Sequence, residues 1–209
     1  LILLYTIYKK EKWMSKNDIF LTNCIWGVNG ATVFYAKFFA DNLLPNSKVL
    51  FIGTGFDDCQ YLDWPALLEK IEPTIQVSYL EIFKPYIDKF KDGKYPIIHG
   101  DVTKIDEVIA NGTFDIICWF HGPEHVDQNK LLSTFDKLYN SANKAIIAAA
   151  PWGKYYDYQE ELHTNPYEKH LIKNMGYQTF DNTFSNYSIN YFNVKDTGDG
   201  SIIITRIKQ

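Results

Sequence analysis

Lys48-Val49-Leu50-Phe51-Ile52-Gly53-Thr54-Gly55-Phe56-Asp57-Asp58 is the stretch on which the fold turns. Val49 to Ile52 form a short unbroken apolar run, the pattern of a strand buried on both faces by covering helices. Gly53 and Gly55 then let the backbone turn sharply and let a ligand approach it closely. Working outward, Ala31–Leu44 reads as an apolar helix ended by Pro45 and Asn46. On the other side, Pro65 suits the start of a helix through Leu67, Leu68 and Ile71, which Pro73 stops.

The alternation continues down the chain. Gln76–Glu81 reads as a second strand, Pro85 opens a second helix, and Pro96-Ile97-Ile98 is a short third strand. Phe114–Phe120 is a strongly apolar fourth strand, Leu131, Leu132, Phe135 and Leu138 follow helical spacing, and Lys144–Ala150 makes a fifth strand. Such a succession predicts a parallel sheet covered on both faces. The ending breaks the pattern. Tyr191–Lys195 and Ser201–Ile207 flank the turn-rich Asp196-Thr197-Gly198-Asp199-Gly200, which predicts an antiparallel hairpin.

Composition limits the function classes. A length of 209 residues with 46% hydrophobic residues suits a single domain with a sizeable core, and 22% charged residues argue against disorder. The net charge of −4 disfavours a partner bound mainly through its phosphates, so no strong nucleic-acid signal is present. Cys24, Cys59 and Cys118 are odd in number and form no C-x-x-C pair, which fits a reducing compartment and a cytoplasmic location. No apolar run reaches the length of a membrane span. Met14 opens a more ordinary N-terminus than Leu1, so residues 1–13 are expected to be upstream or disordered sequence.

In an open α/β sheet, ligands bind beyond the carboxyl ends of the strands where the strand order reverses. The turn after the first strand is therefore the expected ligand site. A dinucleotide fingerprint would require a third glycine at position 58, where Asp58 stands and would repel a pyrophosphate. The ammonium and sulfonium of S-adenosylmethionine suit that acid better. Glu81, with Ile82 after it, ends the second strand beside this turn, where a carboxylate can accept two hydrogen bonds from a ribose diol. Gly100-Asp101-Val102 follows the third strand, where a carboxylate can accept from the adenine amine and a backbone N–H can point at the ring.

This ordered set resembles the class I S-adenosylmethionine-dependent methyltransferases. VLFIGTGFDD looks like their glycine motif, YLE their ribose-binding acid, HGDVT their adenine-binding loop, and FDIICWFHGPEHV their fourth-strand segment. The resemblance runs from about Lys48 to Pro151. It implies a Rossmann-like three-layer sandwich whose mostly parallel seven-stranded sheet has the order 3-2-1-4-5-7-6 and a C-terminal antiparallel hairpin. It also implies S-adenosylmethionine as cofactor, held by Gly53, Thr54, Gly55, Asp57, Asp58, Glu81, Ile82, Asp101, Val102 and Trp119. Two positions depart from the pattern. Phe51 stands where the family usually has an acid that orients the methionine end, and Asp57 where a third glycine is common.

The acceptor side falls to the loops after the fourth and fifth strands. Methyl transfer needs alignment and, for a hydroxyl or ammonium acceptor, a base. His121 is the leading base, since its loop faces the cofactor and histidine ordinarily titrates near neutrality. Trp119 and Phe120 are expected to pack on adenine or in the core, and Glu124 with His125 to cap the next helix. Trp26, Tyr35, His125, Trp152, Tyr156, Glu168 and His170 are the candidate acceptor contacts, with residues 17–44 as a cap. The five histidines have no strong linear metal spacing, so no metal site is expected.

The leading expectation is methyl transfer to a small molecule or a sugar-containing acceptor by a monomer or homodimer. The rivals are a non-catalytic binder of S-adenosylmethionine and a nicotinamide-dependent oxidoreductase. The latter commonly carries a Tyr-x-x-x-Lys pair near the site, and Tyr5/Lys9 has that spacing at the wrong end of the chain.

Overall fold

β1 (Lys48–Ile52) lies inside a seven-stranded sheet with β2 (Gln76–Glu81) and β3 (Ile97–His99) on one side and β4 (Phe114–Phe120) and β5 (Ala142–Trp152) on the other. The computed structural model describes residues 30–54, 64–152, 165–172, 175, 179–180, 184–193 and 200–208. The readings of residues 1–13, Trp26, Gly55, Asp57, Asp58 and Tyr156 lie outside these. β6 (Ser188–Asn193) and β7 (Gly200–Ile207) complete the order 3-2-1-4-5-7-6. β1 to β5 pair in parallel, while β7 runs antiparallel to both β5 and β6. The order is the one the family resemblance implies, and the terminal hairpin is the one the turn-rich segment predicts.

Alternate residues of each strand face opposite sides, and each side is apolar. One face carries Leu50, Leu80, Ile117, Ile146 and Ile204, covered by α5 (Gln128–Ser141) through Leu131, Phe135 and Leu138. The other carries Val49, Phe51, Val77, Ile116, Ile147 and Ile203, covered by α1 (Gly30–Asn42) and α2 (Trp64–Ile71). Phe38, Phe39 and Leu43 seal α1 to the sheet, and Leu67, Leu68 and Ile71 seal α2. α3 (Lys84–Phe90) contributes no buried residue and carries the exposed Lys84–Asp88 pair. A short α4 (Ile105–Val108), which periodicity did not suggest, packs near α5 and puts Ile105 in the core.

Both hairpin strands start earlier than expected, β7 at Gly200 in place of Ser201. β6 starts at Ser188, three residues before Tyr191, because Ser188, Ile189 and Asn190 pair with Thr205, Ile204 and Ile203. Those residues alternate polar and apolar, the pattern of a strand half open to solvent. Beneath α5, Tyr187 donates its hydroxyl to Asp136 at 2.7 Å, and the Arg206 guanidinium lies 3.8 Å from the Tyr139 ring. These contacts fasten the end of β7 to α5.

Candidate functional site

The strand order reverses between β1 and β4, so the crevice for a ligand opens beyond their carboxyl ends. β1 leaves the sheet at Gly53, whose φ of +85° is a left-handed conformation that glycine adopts freely. Among the described residues, a Cβ built there would meet nothing within 4 Å.

Glu81 ends β2 beside this turn and is 6% exposed. Its Oε2 accepts the Thr54 N–H at 2.9 Å and the Thr54 hydroxyl at 3.0 Å, and its Oε1 accepts the Phe83 N–H at 2.8 Å. The carboxylate therefore knits the β1 and β2 turns together. Each carboxylate oxygen offers about two acceptor positions, so Oε1 keeps capacity for one further donor. Ile82 beside it is half-buried.

Asp101 follows β3 and caps the 3₁₀ turn Val102–Lys104. Its Oδ1 accepts the Thr103 N–H and hydroxyl, both at 2.8 Å. Gly100 is required by close approach, since a Cβ there would lie 2.8 Å from Leu80 and 2.9 Å from Val108. Val102 is half-buried against the core. Gly53, Thr54, Glu81 and Asp101 thus stand at one edge of three adjacent strands.

β4 delivers the other half of the site. His121 has φ +50°, a left-handed conformation uncommon for a residue with a side chain, and its N–H donates to the Ala149 carbonyl at 2.9 Å. The side chain is 45% exposed, with Nδ1 3.8 Å from Oε1 of Glu124. Desolvation, with the nearby His170 second, pushes its pKa down from 6.5 to about 4. The exposed part of the ring moderates that shift, but the direction holds the imidazole neutral at neutral pH. The expectation of titration near neutrality is corrected accordingly.

Two further expectations change. Trp119 is 2% exposed and packs 5.4 Å from the Phe135 ring, so it belongs to the core beneath the loop and not to the cofactor surface. Its indole fills the space above Gly122, where a Cβ would fall 1.9 Å from Nε1. Gly122→Ala should therefore cost about 1–3 kcal/mol of stability and displace His121. Urea denaturation of the variant checks this, and parental stability would mean that Trp119 moves aside freely. Glu124, in turn, does not cap α5. It is 1% exposed and turns inward, and burial pushes its pKa up to about 8.

Glu124 is the functional candidate that sequence reasoning passed over. The signal was the density of ionisable groups in His121-Gly122-Pro123-Glu124-His125. The Glu124 carbonyl accepts the N–H groups of Leu171 and Ile172 at 2.9 and 3.0 Å, which docks residues 165–172 onto this loop. That docking brings the His125 and His170 rings to 4.9 Å between centroids. Tyr167, in the 3₁₀ turn Pro166–Glu168, packs 6.3 Å from Phe83, so the same segment reaches the end of β2. Tyr35 meets Trp64 at 4.9 Å and Phe120 at 5.6 Å, an aromatic cluster at the carboxyl end of β4. Trp152 is described only by its backbone, paired with Gly200, and Glu168 only by its place in the turn.

No protein-family model matches the chain, and no curated protein matches it. Solved structures do. A SAM-dependent methyltransferase from Archaeoglobus fulgidus aligns with TM-score 0.58 and 16% identity over 87% of this chain and 95% of its own. The magnesium protoporphyrin IX methyltransferase from Synechocystis PCC 6803, with bound SAM, aligns with TM-score 0.50 and 12% identity over 94% of this chain and all of its own (100%). This is the class I methyltransferase fold. The likeness is one of architecture, since a chain provisionally described as a Zn-dependent alcohol dehydrogenase from Rhodobacter sphaeroides aligns with TM-score 0.54 and 11% identity over 83% of this chain and 89% of its own. Within the methyltransferase fold, Gly53, Glu81 and Asp101 occupy the ends of β1, β2 and β3, and His121 the end of β4.

Proposed function

We propose that the chain is a methyltransferase that uses S-adenosylmethionine and acts on a small-molecule or sugar-containing acceptor. The observation that carries this reading is the convergence of the Gly53 turn, Glu81 and Asp101 at the carboxyl edge of β1, β2 and β3. Glu81 would take a ribose hydroxyl on the remaining capacity of Oε1. Asp101 would take the adenine amine on Oδ2, since its Oδ1 is spent on Thr103. S-adenosylmethionine, when bound, would supply a methyl carbon activated by its sulfonium, and His121 would take the proton that the acceptor gives up on methylation.

A second reading, a binder without turnover, has one observation in its favour. Phe51 is 5% exposed and packs against Tyr79 and Phe120. An acid that would orient the methionine end is therefore replaced by core.

Calorimetric titration with S-adenosylmethionine, S-adenosylhomocysteine and NADH tests the donor. Micromolar binding of the first two alone is expected. Asp101→Ala should weaken it by about 1–3 kcal/mol, the cost of a lost hydrogen bond at a buried contact. Binding of NADH alone, or an Asp101→Ala variant with parental affinity, would remove this assignment.

A further inference from the structure

We propose that Glu124, His125 and His170 form a binding site for one divalent transition-metal ion of the kind zinc exemplifies. Their ligand atoms lie within 4.8 Å of one another, although the residues come from two separate stretches of chain. Oε1 of Glu124 stands 3.9 Å from Nε2 of His125 and 3.8 Å from Nδ1 of His121. These spacings are too long for hydrogen bonds. In a tetrahedral site with bonds of about 2.0–2.1 Å, ligand atoms sit roughly 3.3 Å apart, so the cluster would close on an ion by a contraction of roughly 0.5–1.5 Å.

The buried carboxylate is the independent reason to place a cation there. Among the described residues, Oε2 of Glu124 has no hydrogen-bond partner, and the basic groups within 4 Å of its carboxyl are two imidazoles, with no Lys or Arg. A carboxylate 1% exposed is costly to ionise without a full positive charge beside it. A divalent ion supplies that charge. Two imidazoles with one carboxylate suit zinc and neighbouring transition metals, while magnesium and calcium prefer all-oxygen sets.

The frame of the site is already built. Glu124 and His125 are consecutive in the 3₁₀ turn Pro123–His125, and the hydrogen bonds from Leu171 and Ile172 to the Glu124 carbonyl hold His170 against it. Three protein ligands leave a fourth position open, as in catalytic zinc sites. The metal site stands on this cluster and not on the donor reading. Taken with that reading, the open position selects an acceptor that presents an oxygen ligand, such as a hydroxyl, next to His121.

The test uses the full chain, stripped with a chelator, and titrates Zn²⁺ by calorimetry with no donor or acceptor present. One equivalent should bind, and His170→Gln and Glu124→Gln should each weaken binding by about tenfold or more. Co²⁺ in place of Zn²⁺ should give visible ligand-field absorption that His170→Gln loses, with circular dichroism confirming the fold of the variant. Absence of saturable binding to the parent protein would sink the site. So would parental affinity in both variants. S-adenosylhomocysteine binding to the metal-stripped protein is read separately, so loss of the donor assignment and loss of the metal site give different results.

Discussion

His121→Ala should lower turnover by about 10²–10⁴-fold while leaving affinity for S-adenosylhomocysteine within a few-fold of the parent. The side chain is at the end of β4, beyond the groups that would hold the donor, so its loss would remove the proposed proton acceptor and not a donor contact. Release of S-adenosylhomocysteine with a panel of hydroxyl-bearing small molecules gives the rate, and calorimetry gives the affinity. The pH profile discriminates further. A base is active when neutral, and the environment of His121 lowers its pKa from 6.5 to about 4. The acid limb of kcat/KM should therefore fall well below the pH at which a free imidazole would place it. Equal losses of rate and donor affinity would make His121 a positioning residue.

Phe135→Ala should destabilise the protein by about 3–5 kcal/mol, the range for removing a fully buried aromatic ring. Phe135 is 0% exposed and its ring lies 5.4 Å from Trp119, 5.7 Å from Phe184 and 5.6 Å from Tyr187. It joins α5 to β4 and to the chain that leads into β6. Removing it opens a cavity directly under Trp119, the residue that supports Gly122 and the His121 loop. Urea denaturation measures the change, and a Tm fall of roughly 6–20 °C should accompany it. A loss below about 1 kcal/mol would mean that neighbouring rings collapse into the space, and that the loop does not depend on this packing.

The fold was legible in the sequence because its determinants are local. Val49 to Ile52 and Ile116 to Phe120 are apolar without a break, the pattern of a strand covered on both faces. Gln76–Glu81 and Phe114–Phe120 have in the structure the bounds that their patterns gave. β6 was mis-bounded because its first residues are half exposed and alternate. Four residues of α4 are too few for helical periodicity to register.

The placement of Gly53, Glu81 and Asp101 was legible for the same reason. Gly53, Glu81 and Asp101 each end a strand, so their order along the chain places them at one edge once the sheet is known. The hydrogen bonds from Thr54 to Glu81, across 27 positions, were not legible, because they depend on two turns meeting.

The sequence by itself determined the strands, the two covered faces of their sheet and which strand ends carry polar groups, since burial periodicity and turn chemistry act over a few residues. Only the tertiary structure decided that Trp119 is core, that Glu124 is buried and that His170 meets His125. Those facts depend on where the segment after β5 docks. Two backbone hydrogen bonds from Leu171 and Ile172 to Glu124 fix that docking, and nothing in the spacing of 45 or more residues between them announces it.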